Sequence, residues 1–363
     1  MTLGPLMLDL PGKELTDDDR QRLSHPLVGG VILFTRNYEN PAQLEKLTAD
    51  IHALKSPPLL IAVDHEGGRV QRFRDGFTRL PAMGVLGKIH DEHPHQAKTL
   101  ARETGYVLAA ELRAHGVDLS FAPVLDLDYG VSSVIRDRAF HHDPQTVIDL
   151  SHALMLGMKD TGMAACGKHF PGHGHIAADS HVAIPVDERD YADIAFNDLL
   201  PFKALIDMGL PAIMPAHVIY PKADAAPAGF SRFWLHTVLR GELGFTGMIF
   251  SDDLTMEGAS VAGDITARTQ AALAAGCDMA LICNRCDLAD EVLARLDFDW
   301  PPASRARLAR LHGEPHPLSM TALLEQTAYT RARHAIASLG LENANLALAD
   351  PTQAHVKSPC ETR

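Results

Sequence analysis

Tryptophan occurs twice in 363 residues and cysteine five times. The five thiols, at 166, 277, 283, 286 and 360, form no even framework, so a disulfide-stapled scaffold has no support. Cys283 and Cys286 have a C-x-x-C spacing, but no second pair stands where a zinc ribbon needs it. Reduced thiols in a reducing compartment are the expectation. The chain has no run of eighteen apolar residues, so no membrane-crossing helix is expected. Its first ten residues lack the basic segment and long apolar run of a signal peptide. No Gly-x-Gly-x-x-Gly follows the first apolar run, so a dinucleotide-binding fold has no support either. Positive charge is scarce: 33 Lys and Arg against 46 Asp and Glu give a net charge of −13. That balance argues against nucleic acid or an anionic membrane as the main partner. A cytoplasmic protein is expected.

Apolar residues are plentiful, at 46%. Short runs rich in Val, Ile, Leu and Ala occur at 6–10, 30–34, 59–64, 119–125, 163–168, 212–217, 247–251 and 279–283. They lack strict polar alternation, as strands buried on both faces of a parallel sheet do. Helical spacing fills 44–54, 95–115, 144–160, 195–208, 232–243 and 265–275. Eight such strand–helix units predict an α/β fold, a (β/α)8 TIM barrel, rather than the alternative of an open doubly wound sheet. Further helical patterns at 288–296, 304–312 and 320–339 are expected to pack on the outside of the barrel. The reading is one catalytic domain over 1–340 and a polar, flexible tail over 341–363.

Polar residues gather where the apolar runs end. The densest stretch is Lys168-His169-Phe170-Pro171-Gly172-His173-Gly174-His175, followed by Asp179-Ser180-His181. Pro and Gly prevent a helix there, and a loop of titratable groups at a strand end is a common seat of catalysis. Asp64 to Arg72 follows the third run, Asp126 and Asp128 the fourth, and Arg136, Asp137 and Arg138 stand in the loop beyond. His217 ends the sixth run and Ser251-Asp252-Asp253 the seventh. In a barrel these ends converge on one face. Two chemistries compete. A metal-dependent hydrolase would use His173 and His175 as an H-x-H pair, with Asp252 or Asp253 as a further ligand. Acid–base and covalent chemistry would use Asp179 to orient His181, with a strand-end Asp as nucleophile. Asp64, Arg72, Arg138, Lys168 and His169 would then line a site able to hold sugar hydroxyls. A pure binding module is a third reading. Simpler roles stand beside these. Asp126 and Asp128 read as loop caps, Asp253 as a supporting or helix-capping carboxylate, and His65 as a packing residue. His115, His141 and His142 read as surface or turn residues.

Three motifs together, Asp64–Arg72, Lys168–His181 and Phe250-Ser251-Asp252-Asp253-Leu254, resemble glycoside hydrolase family 3, and within it the single-domain bacterial β-N-acetylglucosaminidases of peptidoglycan recycling. The resemblance implies Asp252 as nucleophile and His181, paired with Asp179, as acid/base. It implies Asp64, Arg72, Arg138, Lys168, His169 and Met214 as the groups that hold a non-reducing N-acetylglucosamine. It also implies a monomer acting on muropeptide or oligosaccharide substrates without metal or cofactor. Phosphorolysis on the same scaffold remains an alternative to hydrolysis. The chain departs from the family pattern at Arg136, where relatives usually have Gly, and at His65, where Gln is common.

Overall fold

The computed structural model describes residues 2–177, 185–314 and 317–342. Eight parallel strands form its centre: β1 Leu6–Asp9, β2 Val28–Leu33, β3 Leu60–Val63, β4 Leu119–Ser120, β5 Cys166–Phe170, β6 Ala212–Pro215, β7 Met248–Asp253 and β8 Met279–Ile282. Each neighbour in sequence is a neighbour in space. Leu6 pairs with both Val28 of β2 and Ala280 of β8. Parallel bridges Leu119–Ala164 and Val124–Lys168 close the ring between β4 and β5. The fold is therefore a (β/α)8 barrel, and all eight apolar runs are its strands.

Alternation along each strand separates two cores. Alternate residues such as Leu6 and Leu8 face the helices, while Met7, Ile32, Leu60, Ala62, Phe121, Cys166, Met248, Phe250, Met279 and Leu281 fill the interior. Both sets are shielded from water, which is why the strands show no polar alternation. The rings of Phe121 and Phe250 meet edge to face at 5.1 Å inside the barrel.

The helices following the strands are α1 Asp17–Ser24, α2 Pro41–His52, α3 Pro94–Ala114, α4 Pro144–Lys159, α5 Leu199–Asp207, the π-type α6 Phe233–Glu242, α7 Ile265–Ala275 and α8 Cys286–Arg295. Several begin on readable caps. Asn40 and Asp143 each accept from the third residue on and are followed by Pro, whose missing N–H costs nothing there. α1 was not legible as an apolar stripe because it is almost entirely polar. Its signal is the reciprocal cap between Thr16 and Asp19.

Three more helices follow: α9 Pro302–Ala309, α10 Met320–Glu325 and α11 Thr327–Glu342. The pattern at 320–339 is thus two helices, broken at Gln326. α9 does not sit simply outside. Leu308 and Leu311 join the interior core with Trp300, plugging the end where the strands begin. α11 packs against α3, where Tyr329 Oη donates to Glu111 at 2.7 Å. Cys166, Cys277 and Cys283 are free and buried. Among the described residues no helix is long and apolar enough to cross a membrane. Residues 343–363 lie outside the described residues.

Candidate active site

At the C-terminal mouth of the barrel, one cavity is lined by Asp64, Arg72, Arg138, Lys168, His169, Met214 and Asp252, together with Glu66, Arg69, His173 and Asp253. These residues come from four strand ends and three loops, so only barrel closure brings them together. Asp179 and His181 lie outside the described residues.

One wall is a buried ionic lattice. Lys168, on β5, donates to Asp64 at 2.7 Å and lies 2.6 Å from Glu66 Oε1. Arg138 grips Glu66 with two parallel bonds of 2.8 Å. Arg72 stands 3.7 Å from the second Asp64 oxygen. Burial alone would raise the Glu66 carboxyl. Arg138 and Lys168 outweigh it and hold that carboxyl well below its usual range. The same exchange holds Lys168 protonated despite its burial. The cations that line the cavity are thereby fixed in place before any ligand arrives. Glu66 lies inside the Asp64–Arg72 motif, and nothing in the sequence assigns it a role. Its partners are 72 and 102 residues away, and no local signal points to them.

A second hub is Asp126, read from sequence as a loop cap. It is fully buried and accepts from the His169 N–H at 3.2 Å, from His169 Nδ1 at 2.7 Å and from the His173 N–H at 2.7 Å. Burial pushes its carboxyl up, and His169 more than reverses this. Asp126 therefore shapes the His-rich loop and leaves His169 Nε2 for the cavity. Asp128 does cap its loop, accepting from the Gly130 N–H at 2.9 Å. Gly174 is required in the same turn, since a Cβ there would lie 1.7 Å from the Leu127 carbonyl oxygen.

The paired carboxylates at the end of β7 differ. Asp253 accepts from the Thr255 N–H at 3.0 Å, the Thr255 hydroxyl at 2.7 Å and the Cys283 N–H at 3.1 Å. Desolvation of its carboxyl, with the nearby Asp252 charge adding to it, pushes it up to about 7. Asp252 takes the Asp253 N–H on one oxygen at 2.8 Å and faces the cavity.

The remaining histidines divide. His173 is 3% exposed and lines the cavity, whereas the His175 side chain is 45% exposed and packs edge-on against Tyr129. The H-x-H pair therefore does not converge. Among the described residues no group of three or more His, Cys, Asp or Glu is placed to hold a metal ion. His65 packs on Phe73 and Phe77 as expected. His115 is not a surface residue: it is buried against Phe77, at the end of α3. His217 bonds the Asp253 carbonyl at 3.0 Å from beneath the site. Arg136 has φ +44, a left-handed conformation that suits Gly, so the departure from the family pattern coincides with backbone strain.

Residues 6–299 match the glycosyl hydrolase family 3 N-terminal domain. A beta-hexosaminidase of Thiobacillus denitrificans is 69% identical over 97% of this chain and 98% of its own length. One from Methylobacillus flagellatus is 62% identical over 96% of this chain and 100% of its own length. The crystal structure of NagZ from Neisseria gonorrhoeae in complex with N-trifluoroacetyl-D-glucosamine is similar at a TM-score of 0.89 and 46% identity, covering 94% of this chain and 99% of that one. With this cavity in this barrel, and likeness over nearly its whole length, the chain belongs to glycoside hydrolase family 3 and is a glycoside hydrolase of the β-N-acetylhexosaminidase type.

Proposed function

We propose that the protein releases terminal β-linked N-acetylglucosamine from peptidoglycan fragments, with retention, through a covalent glycosyl-enzyme. The substrate in this reading is N-acetylglucosaminyl-β-1,4-anhydro-N-acetylmuramic acid, with or without peptide. The enzyme acts as a cytoplasmic monomer built on one catalytic domain over 1–340. The observation that carries the reading is the asymmetry of the β7 carboxylates. Asp253 is occupied by three donors and favours its neutral form, while Asp252 faces the cavity beside the sugar-binding lattice.

In the first step an Asp252 oxygen attacks the anomeric carbon, and the glycosidic C–O bond breaks. His181, held by Asp179, gives its proton to the departing oxygen. In the second step His181 takes a proton from water, which attacks the same carbon and releases Asp252. Asp64, Arg72, Arg138, Lys168 and His169 hold the sugar, Met214 supplies an apolar contact, and Glu66 fixes Arg138 and Lys168. His173 suits the acid role poorly. Burial, reinforced by His169, pushes its imidazole down to about 4, so it has no proton to give at neutral pH.

Product analysis tests the reading. Proton NMR of the first product should show the β anomer of free N-acetylglucosamine, with or without added phosphate. Accumulation of N-acetylglucosamine 1-phosphate would replace hydrolysis by phosphorolysis, and an α anomer would overturn retention.

A further inference from the structure

The mechanism above leaves His173 without a task, yet its surroundings are specific. Its main-chain N–H is tied to Asp126, and the next residue is pinned by the close approach of Gly174 to Leu127. Its ring stands edge-on to His169 at 6.0 Å and lines the cavity. Both ring nitrogens are buried, and among the described residues neither has a hydrogen-bond partner. Native proteins rarely leave such atoms unsatisfied, because each loses its water and gains nothing. A pair of orphaned nitrogens fixed in a substrate cavity is an arrangement completed by the ligand.

The chemistry of the missing partner follows from charge and position. The neutral imidazole offers one donor and one acceptor. The cavity's ionic wall already supplies charged groups, which suit hydroxyls. A secondary amide is neutral and carries one N–H and one C=O, so it complements a neutral imidazole without a buried mismatch. His173 lines the same cavity as Asp252, the residue that meets the anomeric carbon in the reading above. The substituent next to that carbon is the 2-acetamido group. We propose that His173 is a specificity-determining residue that hydrogen-bonds the 2-acetamido group of the sugar, an assignment that rests on the N-acetylglucosaminidase reading.

The test compares 4-nitrophenyl β-N-acetylglucosaminide with 4-nitrophenyl β-glucoside, which differ at that one substituent. In His173→Ala, the ratio of their kcat/KM values should fall at least about tenfold, the equivalent of one hydrogen bond. His173→Gln keeps a donor and an acceptor and should recover part of the ratio. Added imidazole should do the same for the Ala variant. Calorimetric dissociation constants for N-acetylglucosamine and glucose should shift in the same sense. Equal losses on both sugars, or an unchanged ratio in a folded variant, would overturn the assignment. If the wild type cleaved neither glycoside, the functional reading would fail instead. The dissociation constants would then decide the His173 assignment alone, an unchanged preference for N-acetylglucosamine in His173→Ala overturning it.

Discussion

The two ends of the barrel differ in how completely their polar groups and backbone are satisfied. At the end where the strands begin, Asp278 precedes β8 and is satisfied on every side. It accepts from the Ile249 N–H at 2.9 Å, Ser304 at 2.6 Å, Arg240 at 2.9 Å and Arg307 at 2.7 Å, while Trp300 bonds its carbonyl at 2.7 Å. Asp118, before β4, is matched likewise by His52, Arg113 and the Ile61 N–H, each at 2.9 Å. At the mouth, Asp253 is driven toward its neutral form, His173 has two orphaned nitrogens, and Arg136 is held in a strained conformation. The first end spends its polar groups on locking the barrel. The second keeps groups poised for a ligand and forgoes stability to do so. Mutations should therefore separate cleanly: stability falls at one end, activity at the other.

The largest effect expected is at Asp252. Asp252→Asn should lower kcat by about 10⁴-fold or more while the melting temperature stays near that of the wild type. A dead Asp253→Asn beside an active Asp252→Asn would reverse the two roles. Next is Asp278→Ala, which leaves Arg240 and Arg307 without their shared carboxylate. Burial already pushes Arg240 down to about 10. Removing its partner should cost about 3 kcal/mol of stability in denaturant titration, with kcat per folded molecule preserved. A loss of kcat without a loss of stability would break the division between the two ends.

Asp253 gives a smaller, pH-dependent effect. Burial pushes its carboxyl up to about 7 in the fold, well above the usual carboxylate range, so the folded state binds the proton more tightly than the unfolded one. The stability this group contributes is full below about pH 4 and is lost as pH rises toward 7. Asn can keep both main-chain donors on one oxygen and donate to Thr255 from its nitrogen. Asp253→Asn should therefore gain on the wild type by on the order of 1–2 kcal/mol between pH 5 and pH 8. A parallel pair of stability curves would contradict the raised value. The smallest effect is at the strained turn. Arg136→Gly should stabilise the protein by about 0.5–1 kcal/mol, since Gly relieves the left-handed conformation at some entropic cost. Thermal melts would show a small rise, and a fall would mean that the Arg136 side chain makes up for its backbone.

How much was legible in the sequence follows the same geography. Double-buried strands announce themselves as local apolar runs, so all eight were visible and their polar ends could be expected to meet. Of the expected site residues, Asp64, Arg72, Arg138, Lys168, His169, Met214 and Asp252 line one cavity, while Asp179 and His181 lie outside the described residues. What the sequence hid was the pairing. Asp126 looks like any loop-capping Asp until closure brings His169 and His173 to it, 43 and 47 residues on. Glu66 and His115 were obscure for the same reason: their partners are distant in the chain. α1 was missed because its stability comes from a cap, and 320–339 was read as one helix because Gln326 breaks it without a Pro or Gly.

In the proposed mechanism Asp252, not its neighbour, becomes covalently bound to the sugar. A slow fluorinated N-acetylglucosaminide should trap that species, and peptide mass spectrometry should then find one added sugar on Asp252 and none on Asp253. Label on Asp253, or none while an oxazoline mimic inhibits strongly, would contradict it.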